Sequence, residues 1–349
     1  MKVYLKLCIP LLFSTMACAF VQDMIFPPSP TLEILTPSQT PSPTATTTPT
    51  LEPLTCDDDC LNTCLGRLDA VLETEPLEPI GNDNYEKENA EFDLVTYEVN
   101  GDEISDPYIF YVPSEYRKYQ KDTEAHQRIW DFYVAVIPPE LRSTIKTFAI
   151  FTDGPREKTA WVSRASPDED YSQVGFDLLD ADYPPILADT LVHETAHLLM
   201  LNGSQVVYDK VHPHYYEEEK QSFFECEQFV SDGGCSLPTS YLNLFYQKFW
   251  KDSYAEWRQV NEKAEDADSS EEYWDVIDEY YDEHNDLFIN SYAASDVEED
   301  MAESFAFFVL HPKPIAKWIY EKKVEFYYDF PELVEYRRQI IQGLCSYVK

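Results

Sequence analysis

The chain has 349 residues, with 26 Lys+Arg against 65 Asp+Glu and a formal net charge of −39. A surface this acidic repels phosphate backbones and excludes nucleic acid as a partner. Hydrophobic residues at 44% and aromatics at 15% are too many for a disordered acidic chain. Only 9 glycines are present, and neither GxGxxG nor a Walker loop occurs, which argues against phosphate-cradling machinery.

Residues 1–19 read as a secretory signal: Lys2 and Lys6 precede an apolar run too short to span a bilayer comfortably, and the run ends in small residues. Ala17-Cys18-Ala19 fits ordinary cleavage, whereas Thr15-Met16-Ala17-Cys18 resembles a degenerate lipobox in which Cys18 would carry lipid. The stretch 20–55 is the expected linker: residues 27–55 hold 8 Pro, 9 Thr and 3 Ser, an extended spacer without a core. Such a spacer suits a tethered domain, so the expected location is extracellular or cell-surface, with membrane contact only through the N-terminal lipid anchor.

One domain is expected over 56–349. Leu61, Cys64, Leu65, Leu68, Val71 and Leu72 recur at helical spacing, and Phe92 to Val99 and Tyr108 to Val112 read as strands about an Asn100-Gly101 turn. A long helix is expected from Ser114 to just before Pro138-Pro139. Strands follow at Thr147 to Phe151, Thr159 to Arg164 and Gln173 to Leu179. Ile186 to Leu201 is an amphipathic helix closed by Asn202-Gly203, and Ser240 to Val348 is helical almost throughout. Setting aside Cys8 and Cys18 leaves Cys56, Cys60, Cys64, Cys226, Cys235 and Cys345, an even set suited to an oxidising compartment. Six thiols allow fifteen connectivities. Cys226 with Cys235 is the most local pair, and Cys345 is expected to join the Cys56–Cys64 helix to the C-terminal helix.

The helix from Ile186 contains His193-Glu194-Thr195-Ala196-His197, an HExxH sequence. Residues four apart share a helix face, so both imidazoles can reach one Zn²⁺, while Glu194, turned about 100° away, can reach a water on the metal. Met200 and Gly203 stand where the metzincin pattern HExxHxxGxxH requires Gly and His, which excludes that clan. The third ligand is expected from Glu298-Glu299-Asp300-Met301-Ala302-Glu303-Ser304-Phe305-Ala306. Glu303 is embedded among Ala302, Phe305 and Ala306, where a carboxylate is unfavourable unless paired or metal-bound. Glu298 and Glu299 read as a solvated face, and Asp300 as a group that can orient a ligand histidine. His212 and His214 read as surface or cleft-rim residues; His126, His284 and His311 each stand alone and read as structural.

HETAH followed about a hundred residues later by EDMAESFAFFVLHP resembles the gluzincin branch of zinc metallopeptidases, in particular anthrax lethal factor type catalytic domains and bacterial secreted zinc-binding peptidases. The likeness covers about residues 146–340 and rests on these two motifs. It implies zinc on His193, His197 and Glu303, with Glu194 as general base. It also implies an oxyanion-stabilising tyrosine, for which Tyr292 is the candidate, although in such sites the tyrosine lies closer to the ligand glutamate than the eleven residues between Tyr292 and Glu303.

The expected fold is therefore α+β and zincin-like: a small mixed sheet packed on the HExxH helix, a strand near Gln173 to Leu179 bordering the cleft, and a mainly helical C-terminal half. The expected activity is hydrolysis of a polypeptide substrate lying along the sheet edge, and the negative charge either attracts basic substrates or serves only solubility. The rival expectation is a non-catalytic tethered binding protein on the same scaffold. Nothing in the sequence specifies an oligomer.

Overall fold

The computed structural model of the chain describes Leu61, Thr63, Cys64, Gly66 and residues 91–347 without 155–157, 167–168, 182–183, 209–225 and 232. The expected export segment and linker, Cys56 and Cys60, the remainder of the first expected helix, and His212 and His214 lie outside the described residues.

The first two strands, β1 (Phe92–Asn100) and β2 (Glu103–Ile109), form a hairpin in which Asn100 pairs with Glu103 across Gly101 and Asp102. Gly101 sits at φ 66°, a conformation that favours glycine in so tight a turn. Because the turn is this short, β2 starts at Glu103 rather than at Tyr108. Three further strands, β3 (Thr147–Thr152), β4 (Ala160–Arg164) and β5 (Tyr171–Asp177), complete a mixed sheet in the order β2-β1-β3-β5-β4, parallel only between β3 and β5. The strand expected to border the cleft is thus internal. Strand β4 turns back antiparallel onto the outer side of β5 and becomes the edge itself.

The long helix expected from Ser114 is interrupted. A 3₁₀ turn and a four-residue helix end near Lys121, and α1 (Thr123–Val136) starts afresh on Asp122, whose side chain accepts from the Ala125 N–H at 3.0 Å. Its end matches the expectation, since Ile137, preceding two prolines, is extended. Trp130 and Tyr133 of α1 pack on Phe148 and Phe176 of the sheet, all fully buried.

The HExxH segment lies in α2 (Pro184–Met200), whose Ala188, Leu191, Val192 and Thr195 are completely buried. Asn202 ends it by donating its Nδ2 to the carbonyls of Leu198 and Leu199, groups with no helical partner. A small sheet follows, with β6 (Val206–Tyr208), β7 (Val230–Ser231) and β8 (Gly234–Ser236) in the order β6-β8-β7, and Cys226 is bonded to Cys235.

From Ser240 onward the chain is helical apart from connecting segments. It runs through α3 (Tyr254–Glu265), α4 (Ser270–Glu283), α5 (Val297–Leu310), α6 (Ile319–Phe326) and α7 (Pro331–Tyr347). Helix α2 packs against β4 on one side and α5 on the other, which brings the HExxH motif to face the second acidic segment. Cys64 is bonded to Cys345 of α7, closing a separation of 281 residues and joining the expected Cys56–Cys64 helix to the C-terminal helix. The fold is thus α+β, with a mixed sheet and a helical C-terminal half. Among the described residues no helix is long and apolar enough to cross a membrane.

Candidate metal centre

His193 and His197 lie one turn apart on α2, with their Nε2 atoms 3.1 Å from each other. Helix α5 begins on Asp296, whose side chain accepts from the Glu298 N–H at 2.7 Å, and Glu299 lies in its first turn on the side packed against α2. Glu299 Oε2 stands 3.1 Å from His193 Nε2 and 3.4 Å from His197 Nε2. Among the described residues, these three form a group of metal-ligating side chains whose donor atoms all lie within 4.8 Å of one another. The side chains are 8%, 12% and 24% exposed, so the donors are largely withdrawn from water yet still reachable.

Glu303 is one turn further along α5 and meets the opposite side of the same imidazole. Its Oε1 is 2.8 Å from His193 Nδ1, a close charge contact although off the line of the ring N–H. Its Oε2 accepts from Asn290 Nδ2 at 2.7 Å. His193 is therefore bracketed by two carboxylates spaced i, i+4: Glu299 on Nε2 and Glu303 on Nδ1. The expected ligand Glu303 is beside His193 alone, and the carboxylate grouped with both Nε2 atoms is Glu299, which the sequence reading assigned to a solvated face. An i, i+4 acidic pair at the start of a helix was the signal that both carboxylates share that face.

Asp300 is not directed at the histidines. It is fully buried on the other side of α5, 2.6 Å from Lys323 Nζ, and accepts from Trp250 Nε1 at 2.7 Å. Successive helical residues diverge by about 100°, so Asp300 cannot share the face of Glu299.

Glu194 is buried at 7% exposure, and the Val162 N–H of edge strand β4 donates to its carboxylate. Burial raises its pKa, and the neighbouring histidines oppose the shift. In Glu299 and Glu303 the balance is reversed. Burial would raise both, but His197 and His193 hold Glu299 far below the usual carboxylate range, and His193 holds Glu303 below it. His193 is raised well above 6.5 by Glu299 and Glu303 in spite of its burial.

Tyr292 stands in a short 3₁₀ turn just before α5, its ring centroid 5.8 Å from that of His193 and 5.9 Å from that of Trp274. Tyr292 keeps 42% of its surface open, and its phenol lies beside the Glu299 carboxylate. Desolvation, then the negative charges of Glu299, Glu194 and Glu303, hold the phenol protonated well above 10. Its separation from Glu299 is seven residues rather than the eleven that separate it from Glu303.

The isolated histidines have local partners. His126 is enclosed between the Tyr97 hydroxyl and the Tyr119 carbonyl, His284 bonds the Tyr280 carbonyl, and His311 stacks on Phe307.

Two neutral-capable imidazole nitrogens and one carboxylate oxygen form a donor set suited to a divalent cation. Glu299 Oε2 is buried with no aligned hydrogen-bond donor, which leaves it a free ligand atom at the centre of the group. Comparison of the chain with protein-family models, with curated proteins and with solved structures finds no match in any of the three.

Proposed function

We propose that the protein is an exported, gluzincin-like zinc metallopeptidase in which His193, His197 and Glu299 hold the metal. The observation that carries the reading is the spacing of the three donors, 3.1, 3.1 and 3.4 Å. Ligands 2.0–2.1 Å from a tetrahedral Zn²⁺ are separated by about 3.3 Å, the edge of that tetrahedron. This assignment transfers the third-ligand role from Glu303 to Glu299, and Glu303 instead orients His193 through Nδ1. It also brings Tyr292 into the shorter separation that the lethal-factor resemblance implies.

Zinc held by three protein donors supplies Lewis acidity and an acidified water. Glu194, on the same helix and anchored by the Val162 N–H, receives a proton from the attacking water and delivers it to the leaving amine. Tyr292, kept protonated, donates its O–H to the developing oxyanion.

The substrate is an extended polypeptide. Among the described residues β4 pairs on one side only, with β5; its other edge faces Glu194 at Val162, and the main-chain groups of Ala160 and Arg164 on that edge would align an extended peptide with the site. The net charge of −39 favours basic peptides. The signal-like N terminus, the two disulfides and the Pro/Thr-rich segment support export, by lipid tethering at Cys18 or by release.

The test is zinc content by elemental analysis together with cleavage of a diverse peptide library, wild type beside Glu194→Gln. We expect about one zinc per chain in both and cleavage only by the wild type. A folded wild type without stoichiometric zinc overturns the reading, and zinc without cleavage of any peptide favours a non-catalytic binding protein on the same scaffold.

A further inference from the structure

Asn290 lies two residues before Tyr292 and thirteen before Glu303, outside both sequence motifs. Its side chain makes two bonds of opposite sense. Oδ1 accepts from the Ala293 N–H at 2.8 Å, and Nδ2 donates to Glu303 Oε2 at 2.7 Å. The amide cannot be reversed, because a backbone N–H can only donate and a carboxylate can only accept. One end of Asn290 thus closes the turn that carries Tyr292, and the other grips the carboxylate whose Oε1 is 2.8 Å from His193 Nδ1.

We propose that Asn290 is a positioning residue that couples the Tyr292 turn to His193 through Glu303, so that the orientation of a metal ligand and that of the oxyanion donor are set by one side chain. Glu303 needs such a grip. With one oxygen held by Asn290, the other is kept 2.8 Å from Nδ1, where its negative charge favours the tautomer with hydrogen on Nδ1 and leaves the Nε2 lone pair facing the donor group. Released from Asn290, the carboxylate can rotate about its terminal torsion, and the imidazole loses its fixed partner. The residue touches neither the donor atoms grouped at the centre nor Glu194, and it acts only through what it holds.

The proposal rests on the zinc reading, and its test separates the two. Asn290→Asp retains the acceptor for Ala293 N–H but replaces the donor to Glu303 with a second carboxylate. We expect zinc affinity, measured by competition with a chromogenic chelator, to fall roughly 10–100-fold, as for other partners that orient metal-binding histidines, while the circular dichroism of the metal-free protein is unchanged. The double variant Asn290→Asp/Glu303→Gln restores a donor facing an acceptor with the polarity reversed, so it should bind zinc more tightly than Asn290→Asp alone. A role limited to closing the turn would not produce that recovery. In metal-free wild type, proton NMR should detect a slowly exchanging His193 Nδ1–H that is lost in Asn290→Asp. Zinc affinity within twofold of wild type in folded Asn290→Asp, or no recovery in the double variant, overturns the proposal. If the wild type takes no zinc, the NMR measurement alone decides: a protected Nδ1–H that Asn290→Asp abolishes supports the coupling while the metallopeptidase reading fails, and its absence from the wild type overturns the coupling as well.

Discussion

Removing the charge of Asp300 tests the two-faced character of α5. Asp300 and Lys323 are 0% and 1% exposed and 2.6 Å apart. Burial alone pushes the carboxyl pKa up and the ammonium pKa down, and each partner opposes the shift in the other. Asp300→Asn would leave the Lys323 ammonium buried, with the Phe288 ring, 4.2 Å away, as its nearest remaining cation-binding surface. Breaking a buried pair from one side costs about 3–5 kcal/mol, whereas a cation–π contact returns only about 1–2 kcal/mol even when desolvated. We therefore expect Asp300→Asn to lose about 3 kcal/mol or more in urea unfolding, with a thermal midpoint lowered by roughly 6–20 °C for a domain of this size. Replacing both partners by apolar side chains, Asp300→Leu with Lys323→Met, should recover most of that loss, because no uncompensated charge remains. Zinc stoichiometry of the folded fraction should be retained throughout. A stability loss below about 1 kcal/mol accompanied by loss of zinc would refute the argument and return Asp300 to the histidines.

Four further outcomes follow from the geometry. Glu299→Gln should abolish stoichiometric zinc on elemental analysis, Glu303→Gln should weaken it about 10–100-fold, and Glu194→Gln should retain it while kcat drops by 10²-fold or more; stoichiometric, tightly held zinc in Glu299→Gln would displace Glu299 as third ligand. Tyr292→Phe should lower kcat about 10²-fold or more with zinc content unchanged, and full activity would remove Tyr292 from the oxyanion role. Gly175→Ala would set a Cβ 2.3 Å from the Trp161 ring of the neighbouring edge strand, so a loss of about 1–3 kcal/mol in urea unfolding is expected, and a neutral result would contradict that close approach. Asp177 is fully buried and its pKa is pushed up to about 7 by desolvation, against bonds from Leu179 N–H, Asp153 N–H and Thr152. The folded state therefore holds this proton more tightly than the unfolded state, and the contribution to stability is present below about pH 4 and lost as pH rises through about 7. The thermal midpoint of wild type relative to Asp177→Asn should fall across that interval, and a constant difference would mean that the carboxyl titrates normally.

Features encoded over short distances were legible in the sequence. The HExxH helix is set by i, i+4 spacing and by an apolar background that runs from Leu187 to Leu201, and Asn202 ends it by a local capping bond. The Cys226–Cys235 bond was legible as the most local cysteine pair, and Cys345 was expected to bond to the helix of Cys56, Cys60 and Cys64, but that its partner is Cys64 was decided by the packing of elements far apart in sequence. Relations between elements were decided only by tertiary packing. Glu299 and Glu303 share one face of α5, and either could have met the histidines; the approach of α5 to α2 set Glu299 at both Nε2 atoms and Glu303 at Nδ1. The apolar neighbours of Glu303 did signal a partnered carboxylate, but a histidine and an amide satisfy that requirement as well as a metal does. Asp300 found its partner on α6, and β4 rather than β5 became the sheet edge, because strand order depends on how the chain turns back and not on the pattern within a strand. Local periodicity determines which face of an element is polar; which polar group on that face meets a particular neighbour is determined by the angle and register at which two elements pack.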